Sequence, residues 1–426
     1  MVRSPWDMII KDTVFGYIVI SQPIRKIIDS YPVQRLRRIR QLAGSEYVYP
    51  TATHVRFAHS LGVMHLADQL IMNLGKSIEV TQELVNRIKV SALLHDVGHG
   101  PFSHIFESLL INYLDKTHED MTTWIICDSE LAEILEKINL DPRDISLLAV
   151  GKMPTSTENY LNQIIASAVD VDSMDYIVRD SHFSGAEYGF VDIFRLIYTM
   201  DVFEGDLAVN ETALSTLEAF LLARYESFKS VYFHKTSRAV QIMLEQALDE
   251  ARDELGLIEF NTPQDYLKWD DYSTWTALRN SKSAHSIIDN IERRKLIKVA
   301  YEQTSHIKNE MVPAILTKNK IRNQIKEEIA EEVKIDPEVI WIDVPNLPSV
   351  PYHHSISREP MEIPMFVKNQ KGEKISRQMT EVSEIIRVLK GFLNIVRVYT
   401  LEEHREVVAK AAEKVFGAPS SARISM

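Results

Sequence analysis

One segment rich in histidine and glycine decides the fold assignment: Leu93-Leu94-His95-Asp96-Val97-Gly98-His99-Gly100-Pro101-Phe102-Ser103-His104. Before it, apolar residues recur at helical spacing from Glu83 to Leu94, which predicts an amphipathic helix. The two glycines and the proline are expected to end that helix. Neighbours on a regular helix point about 100° apart. At a helix end beside glycines, however, the backbone lets both His95 and Asp96 reach one metal ion.

The His-Asp pair supplies one nitrogen and one oxygen ligand, a set suited to Mn, Fe, Zn, Ni or Co. A chance pair with a capped Asp is the open alternative. The surroundings favour chemistry, because seven of the 14 histidines lie between His54 and His118. A helical core needs no such cluster for packing, whereas metal binding or acid–base catalysis would need one.

A second carboxylate-rich stretch lies downstream, from Val169 to Asp180. Asp172, Tyr176 and Asp180 are spaced i, i+4, i+8 and so share one face of a predicted helix. That face points either to water or to a metal. Asp175 and Arg179 are also four residues apart, and we interpret them as an ion pair on the helix surface.

Composition indicates an ordinary globular protein, with 45% hydrophobic and 25% charged residues among 426. It excludes a disordered chain, a collagen-like fibre and a disulfide scaffold. The 60 acidic against 48 basic residues give a net charge of −12. A general affinity for nucleic acid or for an anionic membrane is therefore disfavoured, and an anionic ligand must be held by a local cluster.

The redox and targeting signals are few. Cys127 is the only cysteine, so no intrachain disulfide is expected. The first ten residues do not form a secretory signal, and no apolar run is long enough to span a membrane. We therefore expect a soluble, cytoplasmic protein with no membrane partner.

The predicted fold is mainly α. Helices are expected at Val33–Leu42, Arg56–Leu70, Glu83–Leu94 and Leu161–Arg179, with one or two more between Ala213 and Glu250. After about residue 330 the pattern changes to a short β-rich run at Val339–Val344, a hairpin over 365–376, a helix at Thr380–Leu393, a strand at Ile395–Thr400 and a last helix from Leu401. We predict an α-helical domain over 1–330, with its motif core at about 50–182, and a small α+β domain over 331–426.

These motifs, taken in order, resemble the HD superfamily of metal-dependent phosphohydrolases. The closer resemblance is to the deoxynucleoside triphosphate triphosphohydrolases, which include bacterial dGTPases and the vertebrate enzyme that joins a SAM domain to an HD domain. It is carried by Gln34–Gly44, Tyr49-Pro50, His54, Arg56–Val63, the HDVGHGPFSH segment and DVDSMDYIVRD, within about residues 8 to 240. The resemblance implies hydrolysis of a dNTP to a deoxynucleoside and inorganic triphosphate, with water attacking the α-phosphorus.

The resemblance implies a site that contains one divalent metal ion. Its ligands would be His59, His95, Asp96 and Asp172. The sequence does not distinguish Mn, Fe, Zn, Ni, Co or Mg, and a further Mg is expected with the nucleotide. His99 and His118 would hold the α-phosphate, and His104 would be the general acid, with Glu107 near it. From the residues alone, His104 and Glu107 are equally an i, i+3 ion pair on a helix surface.

The resemblance also implies a nucleotide pocket. The triphosphate would be held by Arg56, Arg224 and Lys235, the last of these in the segment Tyr232-Phe233-His234-Lys235. The sugar would be lined by Gln41, Leu42, Tyr176 and Asp180, with Tyr176 placed where a ribose 2′-OH would clash. Two alternatives stay open: Arg224 and Lys235 on a solvated helix face, and Leu42 in the core.

A regulatory nucleotide site is implied by Asp29 and Arg37, for which ordinary surface charge is the alternative. Two departures weaken parts of the pattern. Lys11 stands where the vertebrate enzyme has Asn, and Ser173 stands where it has Lys after the metal-binding Asp.

Three functions remain in competition at the level of sequence. The first is a dNTP triphosphohydrolase, expected to be a homo-oligomer (dimer or tetramer) that binds dNTPs and a nucleotide activator. The second is another HD-type nucleotidase or phosphodiesterase. The third is a sensor that binds a nucleotide or nucleic acid without hydrolysing it.

Overall fold

The computed structural model describes residues 8–155, 158–307, 319–348, 364–389 and 392–417. Within these ranges the fold is mainly helical, as predicted. The helices are α1 (Gln22–Ile28), α2 (Tyr31–Arg35), α3 (Arg56–Leu74), α4 (Gln82–Leu94), α5 (His104–Leu114), α6 (His118–Asp128), α7 (Glu130–Glu136), α8 (Pro142–Ala149), α9 (Tyr160–Ile165), α10 (Val171–Ser184), α11 (Ile193–Thr199), α12 (Leu214–Ser227), α13 (Lys235–Glu250), α14 (Arg252–Leu255), α15 (Pro263–Leu267), α16 (Asp271–Asn280), α17 (His285–Glu292), α18 (Asn319–Val333), α19 (Met379–Val382), α20 (Glu384–Leu389) and α21 (Arg405–Phe416).

The described strands form three small sheets. They are β1 (Met8–Asp12), β2 (Gly16–Ile20), β3 (Met200–Phe203), β4 (Asp206–Asn210), β5 (Lys298–Ile307), β6 (Ile340–Asp343), β7 (Asn346–Pro348), β8 (Met365–Lys368), β9 (Lys374–Arg377) and β10 (Phe392–Thr400). β1 and β2 make an N-terminal hairpin. One four-stranded sheet runs β3-β4-β8-β9, with β4 and β8 parallel, and in the other β10 pairs with β5, β6 and β7.

Helix α3 lies at the centre of the fold. Its residues Phe57, Leu61 and Met64 belong to one buried apolar cluster, whereas Val63 and Leu66 belong to another. A helix that is apolar on nearly every side must be buried on nearly every side. α3 is therefore rigid enough to serve as the base on which a site can be built.

Two of the helices predicted before residue 330 are interrupted in the structure. Val33–Leu42 was wrong as one helix: α2 ends at Arg35, a 3₁₀ turn follows, and Arg40 forms a β-bridge with Val55. The backbone N–H of Arg40 donates to Asp271 Oδ2 at 2.9 Å, so it does not continue a helix. Leu161–Arg179 divides into α9 and α10.

The C-terminal prediction was right in most of its elements. The structure contains the predicted strand (at 340–343), the hairpin (over 365–377), the last strand and the last helix. The predicted helix Thr380–Leu393 was wrong as one helix, because it breaks at Ser383 and its last residues belong to β10. Most of the proline-rich stretch lies outside the described residues. The division at residue 330 stays a prediction. Two sheets contain strands from both sides of that residue, since β5 pairs with β10 and β4 with β8. No described helix is long and apolar enough to cross a membrane.

Candidate metal centre

Three side chains from three helices converge on one point. His59 comes from α3, His95 follows the last residue of α4, and Asp172 lies in the first turn of α10. Their ligand atoms all lie within 4.8 Å of one another. His59 Nε2 is 3.0 Å from Asp172 Oδ1, and His95 Nε2 is 3.6 Å from the same oxygen. The face predicted for Asp172 therefore points into this cluster, with the side chain 34% exposed.

Hydrogen bonds fix both imidazole rings so that Nε2 faces the cluster. His59 Nδ1 donates to Asp175 Oδ2 at 2.7 Å, and His95 Nδ1 donates to the Ala92 carbonyl at 2.8 Å. Histidines that bind metals are oriented in this way, because the donated proton leaves the other nitrogen's lone pair free. The His95 Nε2 atom is buried and has no hydrogen-bond partner. These residues fit a divalent cation.

Asp96 lies beside the cluster and connects it to its surroundings. Its carboxylate oxygens are 3.5 Å from His59 Nε2, 3.4 Å from His95 Nε2 and 3.3 Å from His99 Nε2. The buried guanidinium of Arg56 donates to Asp96 Oδ2 and to Ser103 Oγ. The structure thus brings the four predicted metal ligands together, and their role stays a prediction.

Burial and charge act against each other on these groups. Burial lowers the pKa of His59, but hydrogen bonds with Asp172 and Asp175 outweigh it and raise the pKa to about 10. Burial raises the pKa of Asp96, yet the Arg56 charge and the nearby histidines hold it well below the usual range. Cation binding to His59 must therefore displace a proton.

A second histidine group adjoins the first. The ligand atoms of His99, His104 and His118 also lie within 4.8 Å of one another. The rings of His99 and His118 are stacked, with centroids 4.1 Å apart. Glu107 joins two members, since His118 Nδ1 donates to Glu107 Oε1 at 2.6 Å and His104 Nδ1 donates to Oε2 at 3.0 Å. His104 and Glu107 are therefore more than a surface ion pair, because Glu107 also binds His118. The His104 side chain itself is 69% exposed.

The protonation of this second group is set by its neighbours. Burial lowers the pKa of His118, but the hydrogen bond and charge of Glu107 outweigh burial and raise it. Burial, Arg56 and His118 together hold the pKa of His99 well below its ordinary value. The pKa values of the two stacked imidazoles are therefore shifted in opposite directions, so His118 keeps its proton to a higher pH than His99 does.

The turn between the two groups needs its glycine. A Cβ atom on Gly98 would lie 2.2 Å from the His118 carbonyl oxygen and from the Thr122 amide nitrogen, so only glycine lets the turn approach α6 this closely. Phe102 and Ser103 have φ of +57° and +59°, a strained region for such residues. The Phe102 N–H donates to Asp271 Oδ1 at 2.7 Å, and this bond helps to hold the strained turn.

The predicted sugar side is also assembled. Asp180 accepts a hydrogen bond from His54 Nε2 at 2.8 Å and another from the Tyr232 hydroxyl. The Tyr176 and Tyr232 ring centroids are 6.3 Å apart, and the Arg224 guanidinium is 5.9 Å from the Tyr176 ring. Asp180 and Tyr176 thus share the face of α10 that carries Asp172, as predicted.

Four of the predicted substrate residues lie in different environments. Gln41 Oε1 is buried and unpartnered, as is Arg224 Nε, and both are polar atoms that a ligand could satisfy. Leu42 packs in a small apolar cluster with Ala52 and Val231. Lys235 is exposed at the first position of α13.

The two residues assigned to a regulatory site lie at the surface. Arg25 Nε is 3.4 Å from Asp29 Oδ2, in an exposed i, i+4 pair. Arg37 donates to Gln34 Oε1 and stacks on the Phe57 ring at 3.6 Å. Asp29 and Arg37 thus pair with different neighbours.

Sequence reasoning misplaced one ion pair. Asp175 and Arg179 are fully buried, so their assignment to the helix surface was wrong. Asp175 instead orients His59. Apolar residues surround the pair in the sequence, at Met174, Ile177 and Val178, and this pattern could have indicated burial. His54, which fixes Asp180, was quoted as part of a motif but was given no role.

Helices α3, α4 and α10 thus define an α-helical protein built around a His/Asp centre that fits a metal ion. The HD domain model matches residues 56–180, and the HD associated region matches residues 191–425, more than half of the chain. The chain belongs to the HD-domain family.

Known proteins agree with this assignment. A hypothetical protein from Aquifex aeolicus, solved by crystallography, superposes with a TM-score of 0.76 at 30% identity, covering 95% of this chain and 100% of that one. The "deoxynucleoside triphosphate triphosphohydrolase SAMHD1 homolog" of Dictyostelium discoideum is 32% identical over 69% of this chain, which spans 60% of that protein. The chicken "deoxynucleoside triphosphate triphosphohydrolase SAMHD1" is 28% identical over 96% of this chain and 74% of its own length.

Proposed function

We propose that this protein is a metal-dependent phosphohydrolase that cleaves a dNTP to a deoxynucleoside and inorganic triphosphate. The observation that carries the proposal is the adjacency of two histidine groups, with Asp96 in contact with both. One group suits a cation and the other suits a phosphoryl group and its proton transfers. The names of the Dictyostelium and chicken relatives supply the substrate class.

In this proposal His59, His95, Asp96 and Asp172 hold one divalent cation. When bound, the cation would act as a Lewis acid toward phosphate and lower the pKa of water. Arg56 neutralises part of the charge on Asp96 and places a guanidinium beside the phosphate position. This arrangement leaves His118 and His104 free for the substrate.

The second histidine group would handle the α-phosphate and the leaving oxygen. When protonated, His118 stabilises negative charge that develops on the phosphoryl oxygens. When protonated, His104 donates a proton to the 5′-oxygen as its bond to phosphorus breaks. The oxygen of the attacking water forms the new bond to phosphorus and releases one proton to solvent, so the net reaction adds one water. Glu107 fixes both rings through its two carboxylate oxygens.

The sugar would lie against α10. His54 and Tyr232 hold the Asp180 side chain in place, and its oxygens can accept a hydrogen bond from a 3′-OH. Gln41 Oε1 offers an unpartnered polar atom on this side. For the triphosphate tail our candidates remain Arg56, Arg224, whose Nε atom is unpartnered, and Lys235, which is exposed at the start of α13.

The test is turnover by the purified full chain. All four dNTPs are mixed with Mg²⁺, Mn²⁺ or Co²⁺, and the products are separated by ion-exchange chromatography, with Asp96→Ala as the inactive control. Deoxynucleoside plus inorganic triphosphate, absent from the control, supports the proposal. Orthophosphate, pyrophosphate or monophosphate products point to another nucleotidase or phosphodiesterase. Folded protein that gives no product with any metal contradicts the proposal.

Tyr176→Ala tests the assignment of the sugar side. Removing the ring opens space for a 2′-OH, and we expect the preference for dNTP over NTP in kcat/KM to fall about 10- to 100-fold. The matched control is Tyr198→Ala, which removes an exposed tyrosine from α11. An unchanged preference in an active Tyr176→Ala enzyme would refute this role for Tyr176.

Regulation, assembly and location stay predictions. Asp29 and Arg37 remain the candidates for an activator site, and a homo-oligomer remains the expected state. Turnover that requires a mixture of nucleotides would support the activator. Cytoplasmic location is likewise an expectation from the sequence.

A further inference from the structure

A chain of buried charged side chains leads from the metal centre to the N-terminal hairpin. His59 Nδ1 donates to Asp175 Oδ2 at 2.7 Å, and Arg179 Nε donates to the same oxygen at 2.8 Å. Arg179 Nη1 then donates to Asp12 Oδ2 at 2.8 Å. Asp12 is the last residue of β1, so three links join a candidate metal ligand to a strand 47 positions before it.

The turn of the hairpin contacts this network of charged side chains. Asp12 Oδ1 accepts the N–H groups of Val14 and Phe15 at 2.9 and 2.8 Å, which shapes the turn between β1 and β2. The Phe15 ring lies 5.6 Å from the Arg179 guanidinium and covers it. Ile18 and Ile20 of β2 are buried in the core.

The side chains of this charged network are tightly enclosed. Asp12, His59, Asp175 and Arg179 are all buried, and Arg179 is the one cation between two carboxylates. A Cβ atom on Gly62, one turn after His59, would lie 1.8 Å from Asp175 Oδ1 and 2.4 Å from Arg179 Nη2. Breaking one link of a buried ion pair leaves an uncompensated charge, so the links must change together.

We propose that Asp12, Arg179 and Asp175 are positioning residues that couple the folding of the N-terminal hairpin to metal binding at His59. The carboxylate of Asp175 holds the Nδ1 proton and directs the Nε2 lone pair to the cation. Arg179 holds Asp175, and Asp12 holds Arg179. Because coupling is reciprocal, a bound cation must also stabilise the hairpin. This inference rests on the proposed metal site.

The test compares Asp12→Asn with Asp201→Asn in the full chain, using Co²⁺ alone as the probe. Asn keeps the size of Asp12 but removes its charge, so that Asp175 is the one carboxylate left to compensate Arg179. We expect Co²⁺ affinity to fall about 10-fold for Asp12→Asn and about 10- to 100-fold for Asp175→Asn. The visible absorption spectrum of bound Co²⁺, which reports ligand geometry, should change in both.

Asp201→Asn is the control for loss of a buried carboxylate. Asp201 is as buried as Asp175, but it lies in β3 and pairs at 2.9 Å with Lys374 of β9. It should lose stability without losing Co²⁺ affinity. Wild-type affinity and spectrum in folded Asp12→Asn protein would overturn the coupling. If the wild-type chain itself binds no Co²⁺, both the proposed function and this inference fail.

A second measurement needs no variant. Hydrogen exchange of the wild-type chain is recorded with and without Co²⁺. We expect slower exchange at the hairpin amides of Ile10 and Ile18, which are paired in the sheet, when the cation is bound. Exchange at these amides that does not respond to a cation known to be bound would overturn the proposal even if Asp12→Asn fails to fold.

Discussion

His95→Ala should lose both the metal ion and turnover. The imidazole presents a buried Nε2 atom with no hydrogen-bond partner, while its Nδ1 atom is held by the Ala92 carbonyl. Removing one of the few ligands should weaken metal affinity by more than the roughly 10- to 100-fold typical of supporting residues. Loss of Lewis-acid assistance, which is worth several kcal/mol, should lower kcat/KM by about 10³-fold or more.

Metal content by elemental analysis and triphosphate release together check this expectation. His182→Ala is the matched control, because it removes an exposed histidine at the end of α10, outside both histidine groups. A His95→Ala protein that retains one metal ion per chain and full turnover would show that the centre is elsewhere. Both proteins should keep their helical circular dichroism.

Glu107→Gln should lower turnover and change its pH dependence. The carboxylate orients His104 and His118 at once, so its loss affects both phosphate binding and proton donation. We expect kcat to fall by about 10²-fold, the lower part of the range for positioned acid–base groups. The control is Glu119→Gln, which removes a more exposed carboxylate of α6 that pairs with Lys152.

The direction of the expected change in pH dependence follows from the pKa of His118. Glu107 outweighs burial and keeps the pKa of His118 above its ordinary 6.5. If cationic His118 is required, activity falls as pH rises through that raised pKa. In Glu107→Gln the pKa of His118 falls, so the alkaline limb of kcat/KM should move to lower pH and the defect should be larger at pH 8 than at pH 6. Parallel profiles for the two enzymes would argue against a charged His118.

The sequence predicted the parts of the fold that depend on local pattern. α3 and α4 carry long apolar stripes, and both occur where expected. The helix predicted at Val33–Leu42 failed for a non-local reason, because Asp271 captures the Arg40 amide across 231 positions of the chain. No spacing rule reveals such a partner.

The candidate site could likewise be predicted where it depends on local sequence pattern, but not where it depends on residues distant in the sequence. His95 and Asp96 stand out because they are adjacent at a helix end, and Asp172 stands out through its helical spacing with Asp180. The helix register alone could not show that Asp175 and Arg179 are buried, because an i, i+4 ion pair has the same spacing on a surface and in a core. Their burial depends on Asp12, which lies far away in the sequence.

The position of β10 late in the sequence affects the order in which the parts of the site form during synthesis. The Arg397 guanidinium of β10 donates to the Phe233 carbonyl, and the Tyr399 hydroxyl donates to the Lys235 carbonyl. These bonds hold the segment that carries Tyr232 and Lys235, whereas the four candidate metal ligands all precede residue 173. During synthesis a chain can therefore gather its metal ligands long before the ribosome releases the strand that braces its nucleotide side. The nascent protein should acquire its ion first and its substrate last.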